Sequence, residues 1–314
     1  MENKVPTVSL GGGLTMPVIG MGTASYPPAD ADTVKSAIVE AIGAGYRHFD
    51  TAFIYGSEQP LGEAIAEAIK IRLIKSRDEL FITSKLWCTF AEQDLVIPAI
   101  KMSLENLQLE YLDLYLIHWP LKFNKDPSRF PVPKQEVSVI DTKSVWSAME
   151  ECQRLGLTKS IGVSNFSARK LDEILSSAKI PPTVNQVEIN PLRQQKEMME
   201  LCKAKGIHVS AHSPLGSKGT PWGDNRIFEC LVLKEVAQAK GKTTAQICLR
   251  WVYEQGASVI TKSFNGERMK ENLEIFDWSL SGEEMEKISG IPQRKHSSSL
   301  GSFIEDSSEL EEEL

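Results

Sequence analysis

Gly45-Tyr46-Arg47-His48-Phe49-Asp50-Thr51-Ala52-Phe53-Ile54-Tyr55-Gly56-Ser57-Glu58 turns a short apolar run into the start of a helix, and the same unit recurs along the chain. The run that begins near Tyr46 ends at Phe49, Ser57 stands where a helix N-cap belongs, and Pro60 fits the first turn that follows. Asp50 and Tyr55 sit five positions apart in the connection. A phenol there is well aimed to donate a proton, but its ordinary pKa of about 10 makes it slow near pH 7. A positive charge supplied from elsewhere in the chain would ease it toward phenolate.

Outward from this unit, strand-like runs fall near Val18–Met21, Arg47–Asp50, Leu80–Lys85, Leu112–Trp119, Ser160–Val163, Val184–Glu188, Ile207–Ala211 and Ser258–Thr261. Between them the apolar residues repeat at helical spacing. Leu61, Ile65, Ala68 and Ile69 share one face, as do Ile97, Ile100, Leu104 and Leu107 with Pro98 in the first turn. Val145, Met149 and Cys152 follow the same spacing, as do Leu171, Ile174, Leu175 and Ala178 behind a Ser167 cap. Thr243-x-x-Gln246 and Ser281-x-x-Glu284 read as capping boxes, and Gly256 marks a helix stop. Short apolar strands alternating with amphipathic helices imply a parallel sheet covered by helices. Eight units in 314 residues predict an α/β chain folded as a single (β/α)8 TIM barrel spanning 1–314. Thr7–Leu10 and Leu14–Pro17 around three glycines predict an N-terminal β-hairpin. A long C-terminal tail follows Ile291, partly flexible after about residue 292. Two longer loops, near 120–141 and 213–228, should lie over the barrel.

Composition excludes several functions. The formal charge is −7, but six acids in residues 305–314 account for most of it, leaving −1 for the rest. A near-neutral body lacks the basic stripe of a nucleic-acid surface, and the acidic end reads as a solvated tail. Five scattered cysteines without a Cys-x-x-Cys suit a reducing compartment. No apolar run approaches a membrane span, and the first ten residues carry no signal pattern. A cytoplasmic monomer is expected.

Barrel enzymes carry their chemistry at the C-terminal ends of strands. There the second strand offers Asp50 with Tyr55 beyond it, the third offers Lys85 within an apolar run, and the fourth offers His118. Lys85 is the charge Tyr55 needs, Asp50 keeps Lys85 charged by pairing with it, and His118 can donate to a carbonyl oxygen. Taken singly, each has an ordinary structural reading: a cap or salt bridge, a packing ring, a solvated strand end, a core histidine. Their convergence on one rim is what points to proton donation to a carbonyl.

Three further signals carry less. Gly20-x-Gly22 is followed by Pro27-Pro28 rather than a helix, so it is not a dinucleotide fingerprint. Gly162-Val163-Ser164-Asn165-Phe166 lacks the last glycine of a nucleophile elbow. His208-x-x-x-His212 has metal spacing for a helix but lies in a strand-like run. No metal is expected.

At Gly45–Ala52 with Tyr55–Glu58, Ser84–Trp87, Leu112–Pro120, Ile161–Phe166, Gln186–Glu188 and Lys262–Asn272 the chain resembles the aldo-keto reductases, over roughly residues 5–292. The resemblance implies a catalytic tetrad of Asp50, Tyr55, Lys85 and His118, with Tyr55 as general acid and NADPH as hydride donor. It implies that Ser164, Asn165 and Gln186 hold the nicotinamide carboxamide and that Ser213 to Ser217, including Leu215, pass along the pyrophosphate, with Thr23 also at the cofactor. Lys262, Ser263, Phe264, Asn265 and Arg268 would surround the adenosine 2′-phosphate, with Glu271 and Asn272 on the adenine. A helix start and an Arg fork suit a phosphate. The chain departs at His212, where family members commonly carry a Tyr that stacks on the nicotinamide; an imidazole can take the same place. Val145–Cys152 and Ile275–Trp278 are similar to a plant subgroup that reduces sugar-acid, alkaloid and polyketide carbonyls. Phe53, Trp87, Trp119 and Phe123, with Tyr26 and Trp222, would ring the site and suit a flat or alicyclic carbonyl substrate. Lys122, Lys125 and Arg129 would instead greet a uronate carboxylate. The expected protein is an NADPH-dependent carbonyl reductase of plant specialised metabolism, with an NADPH-binding regulatory or accessory barrel as the alternative.

Overall fold

Eight parallel strands close on themselves, and their parity decides which side chains reach the barrel mouth. The structure, a computed structural model, describes residues 5–124, 130–220, 223–294 and 304–305. A hairpin of β1 (Thr7–Ser9) and β2 (Thr15–Pro17) comes first. Then follow β3 (Ile19–Gly22), α1 (Ala31–Ala44), β4 (His48–Asp50), α2 (Glu58–Lys70), β5 (Phe81–Leu86), α3 (Gln93–Leu107) and β6 (Leu112–Ile117). A two-stranded ribbon, β7 (Leu121–Phe123) and β8 (Val137–Val139), interrupts the alternation before α4 (Thr142–Arg154). The second half runs β9 (Thr158–Ser164), α5 (Ala168–Leu175), β10 (Val184–Glu188), α6 (Lys196–Lys205) and β11 (His208–His212). It finishes with α7 (Arg226–Glu229), α8 (Leu231–Lys240), α9 (Thr244–Glu254), β12 (Ser258–Thr261), α10 (Gly266–Leu273) and α11 (Gly282–Ser289). The barrel order is β3-β4-β5-β6-β9-β10-β11-β12 and back to β3.

Alternate residues of a strand face opposite sides. Outward residues such as Phe49, Ile82, Leu86, Tyr115, Ile117 and Val163 join the helices in the main core. Phe81, Leu114, Leu116 and Val184 point inward and pack on Met16 and on Val8, Leu10 and Leu14, so the hairpin plugs the bottom. Gly162 lies on that inner wall, where a Cβ would come within 2.5 Å of the Val184 carbonyl oxygen. On the same inward parity, one step nearer the mouth, come Asp50, Lys85, His118, Ser164, Gln186 and His212. His48 fills the interior beneath them, its ring between the Pro17 carbonyl (3.2 Å) and Thr83 Oγ1 (3.1 Å).

Local signals met two kinds of outcome. Both capping boxes form, Ser167 caps α5, and all five cysteines are free thiols. Ser57 stands at the N-cap of α2 but does not cap it, because its hydroxyl bonds Thr23 Oγ1 at 2.7 Å and Thr51 Oγ1 at 2.9 Å. Pro98 lies inside α3, which begins five residues before it. Among the described residues, no helix is long and apolar enough to cross a membrane, and no group of three or more His, Cys, Asp or Glu is placed to hold a metal. His208 and His212 sit at opposite ends of β11; His208 Nε2 accepts the Ser258 N–H at 3.3 Å.

Candidate active site

Tyr55 reaches the mouth on a single 3-10 turn, Phe53–Tyr55, which Gly56 ends in the left-handed region at φ 65°. Lys85, 1% exposed, comes up from β5 beside it. Its ammonium has three hydrogens. One goes to Asp50 Oδ1 at 2.5 Å and one to the Thr51 carbonyl at 2.9 Å. The ammonium also lies 5.0 Å from the centre of the Tyr55 ring, where its charge favours the phenolate. The other Asp50 oxygen accepts from Gln186 Nε2 at 2.7 Å, so both oxygens are engaged. His118 Nε2 is 3.2 Å from the Tyr55 hydroxyl.

The electrostatics assign protonation states. Burial pulls the Lys85 pKa down, but the Asp50 charge and the bond to it more than compensate, so Lys85 stays charged with its pKa raised. Burial raises the Tyr55 pKa, and the Lys85 charge opposes that rise without cancelling it. Tyr55 is therefore a protonated acid at neutral pH. The sequence reading anticipated the opposing charge but not the larger desolvation. Burial, aided by Lys85 and His212, drives His118 well below the ordinary imidazole range, so its ring is neutral and offers one N–H.

A polar strip runs from this group along the mouth. Ser164 Oγ donates to the Gln186 carbonyl at 2.9 Å. Asn165, in the left-handed region at φ 62°, donates through Nδ2 to the His118 carbonyl at 3.0 Å and to Ser164 Oγ at 3.1 Å. His212 Nε2 is 3.0 Å from Asn165 Oδ1, and its Nδ1 is 3.2 Å from Ser213 Oγ. Ser217 Oγ donates to Ser213 Oγ at 2.9 Å, and Leu215 between them packs on the core. Thr23 is buried, its hydroxyl held by the Asp50 carbonyl at 3.1 Å and by Ser57.

Lys262 directly follows β12, and Arg268 stands in the first turn of α10. Burial and the Arg268 charge both lower the Lys262 pKa, which places the two cations within electrostatic reach of each other at the start of α10, where the Glu40 carboxylate lies against Gly266. Lys262 Nζ lies 4.2 Å over the Phe264 ring. Asn265 caps α10 by accepting the Arg268 N–H at 3.0 Å, and Ser263 Oγ accepts the Asn265 N–H at 3.1 Å. Glu271 takes the Thr243 hydroxyl at 2.6 Å, and Asn272 is buried. A dianion between Lys262 and Arg268 would relieve their repulsion at a helix N-terminus.

A family model for the aldo/keto reductase family matches residues 18–292. The chain belongs to that family. Among its relatives, a D-galacturonate reductase of Fragaria ananassa is 62% identical over 93% of this chain and 93% of the relative. The NADPH-dependent codeinone reductase 1-4 of Papaver somniferum is 56% identical over 95% of this chain and 92% of the relative. A crystal structure of a Bombyx mori aldo-keto reductase in complex with NADP superposes with a TM-score of 0.85 at 36% identity, covering 97% of this chain and 96% of that one.

The aromatic rim of this aldo/keto reductase divides into two tiers. Trp87, Trp119 and Phe123 are buried in one cluster with Leu121, Val132 and Ile304. Trp87 stands edge-on to His118 at 5.2 Å and to Phe123 at 5.6 Å, which ties the rim to the tetrad. Phe53 is half-buried, edge-on to Phe90 at 5.1 Å. Tyr26 is 51% exposed in the loop after β3. Trp222, Lys125 and Arg129 lie outside the described residues. Lys122 pairs with Glu92 at 2.6 Å.

Several contributors escaped the sequence reading. Phe130 stands 6.2 Å from Trp87 and 6.4 Å from Phe123 and extends the rim. Its setting in a Pro-rich loop gave no periodic signal. Glu188, buried at the end of β10, pairs with Arg294 at 2.5 Å, and Arg294 lies 3.8 Å from Asp224. An acid ending an apolar strand was the available clue for Glu188, the same clue that singled out Lys85. Arg294 had none.

Proposed function

We propose that this aldo/keto reductase is an NADPH-dependent carbonyl reductase that converts a ketone or aldehyde of plant specialised metabolism to an alcohol. The observation that carries the proposal is the arrangement in which Lys85 bonds Asp50 and Thr51 and lies 5.0 Å from the centre of the Tyr55 ring, while His118 meets the Tyr55 hydroxyl. Tyr55 donates the proton to the developing alkoxide. Lys85 stabilises the phenolate left behind, and Asp50, anchored by Gln186, holds Lys85 in place. The neutral His118 orients the carbonyl oxygen by an N–H donated beside the phenol. When bound, NADPH supplies the hydride. Ser164 and Asn165 would hold its carboxamide, Ser213 to Ser217 its pyrophosphate, and Lys262 and Arg268 its 2′-phosphate. The polar strip and the paired cations at α10 fit such a group.

Trp87, Phe123 and Phe130 favour a bulky, largely apolar carbonyl compound. The uronate alternative gains from the D-galacturonate reductase relative, but Lys122 is already paired with Glu92. A purely regulatory barrel would have no need of four titratable groups in mutual contact. The protein is proposed to act as a cytoplasmic monomer. The test is consumption of NADPH, against NADH, with a panel of alicyclic ketones, aromatic aldehydes and uronates. Turnover of ketones with NADPH is expected. Absence of turnover with every carbonyl would overturn the proposal.

A further inference from the structure

His212 makes two hydrogen bonds at the barrel mouth, and their proton directions follow from its neighbours. Asn165 Nδ2 donates to the His118 carbonyl and to Ser164 Oγ, which fixes the amide with Oδ1 toward His212. His212 Nε2, 3.0 Å from that oxygen, must then carry the ring proton. Burial holds the His212 pKa down to about 4, so the ring is neutral and Nδ1 is an acceptor. Nδ1 takes the Ser213 hydroxyl at 3.2 Å, and Ser213 in turn accepts from Ser217 at 2.9 Å. Ser213 and Ser217 both adopt positive φ, 50° and 58°, so the loop leaving β11 is shaped around this chain. Asn165 is left with one free lone pair on Oδ1 and no free N–H.

We propose that His212 is a positioning residue that locks the Asn165 amide with its acceptor facing the cofactor and joins that amide to the 213–217 loop in one hydrogen-bonded unit. Asn165 then accepts an N–H from the carboxamide and offers no donor to its carbonyl. The inference rests on the NADPH reading above. It differs from a role in which the ring at 212 contributes only its flat face. Replacing it with Phe keeps a flat ring of similar size and removes both hydrogen bonds. Replacing it with Gln removes the ring but can return a side-chain N–H toward Asn165 Oδ1.

The experiment is NADPH titration by fluorescence on wild type, His212→Phe, His212→Gln, Asn165→Ala and the double variant His212→Phe/Asn165→Ala. Melting temperatures without cofactor are measured on the same set. His212→Phe should raise the NADPH Kd about tenfold, the worth of about one hydrogen bond, with the kinetic loss falling on KM more than on kcat. His212→Gln should recover most of that affinity. In the double variant the His212→Phe loss should vanish, because Asn165→Ala has already removed the acceptor. Wild-type affinity in His212→Phe, a Gln variant as weak as Phe, or losses that simply add would overturn the inference. Without cofactor, His212→Phe should melt about 2 °C or more below wild type, and Gln should restore it. If wild type bound no NADPH, the functional reading would fall, while the melting series would still decide whether His212 holds Asn165.

Discussion

Replacing Lys85 with Met separates the two jobs assigned to that side chain. The ammonium lies 5.0 Å from the centre of the Tyr55 ring. At an effective dielectric of about 20, a unit charge at that range is worth about 3 kcal/mol to a phenolate, or roughly two orders of magnitude in rate. Lys85→Met should therefore lower kcat by about a hundredfold while NADPH still binds. It also strands Asp50, which is 3% exposed and keeps only Gln186, and a buried carboxylate left without its cation costs about 3–5 kcal/mol. The double variant Asp50→Asn/Lys85→Met removes that stranded charge. It should regain most of the stability, read by urea denaturation, and none of the rate, read by single-turnover NADPH oxidation. A Lys85→Met enzyme within threefold of wild-type kcat would refute the reasoning. So would a double variant that regains rate together with stability.

Other outcomes follow from the same geometry. Arg268→Ala should weaken NADPH binding by about tenfold or more and leave NADH binding unchanged, measured by fluorescence titration, since one charge-assisted contact is worth about 1.5–3 kcal/mol; equal losses for both cofactors would contradict it. The pKa of His118 is depressed well below 6.5, so the ring is already neutral across the physiological range. The pH profile of reduction should accordingly lack an acid limb centred near about 6.5, the ordinary imidazole value. Because burial lowers the pKa values of His48 and His212 to about 4, their contribution to stability is full above about 6.5 and is lost as pH falls toward 4, and His118, also lowered by burial, acts in the same direction. The melting temperature should drop steeply over that interval, and a flat profile would count against neutral buried rings.

The barrel was legible because its strands are short, uniformly apolar and separated by helices with clear periodicity. Asp50, Lys85 and His118 stood out as polar residues ending such strands, and parity turned them all inward. Features set by tertiary contact were not legible. Ser57 has the identity and position of a cap, yet Thr23 and Thr51, distant or off-register in sequence, take its hydroxyl. Pro98 looked like a helix start because Pro is tolerated there, while α3 in fact accommodates it one turn further in. The β7–β8 ribbon has only three residues per strand, too few for an alternation to register. The bond from Gln186 to Asp50 joins residues 136 apart, and no local pattern encodes it.

The most direct measurement is single-turnover hydride transfer by Tyr55→Phe, with NADPH affinity determined in parallel. Removing the hydroxyl deletes the proton donor and leaves the ring that Lys85 and His118 pack against. Carbonyl reduction should fall by about two to four orders of magnitude with NADPH affinity unchanged. Reduction within tenfold of wild type would mean that the proton comes from another group, and the assignment of Tyr55 as the acid would be wrong.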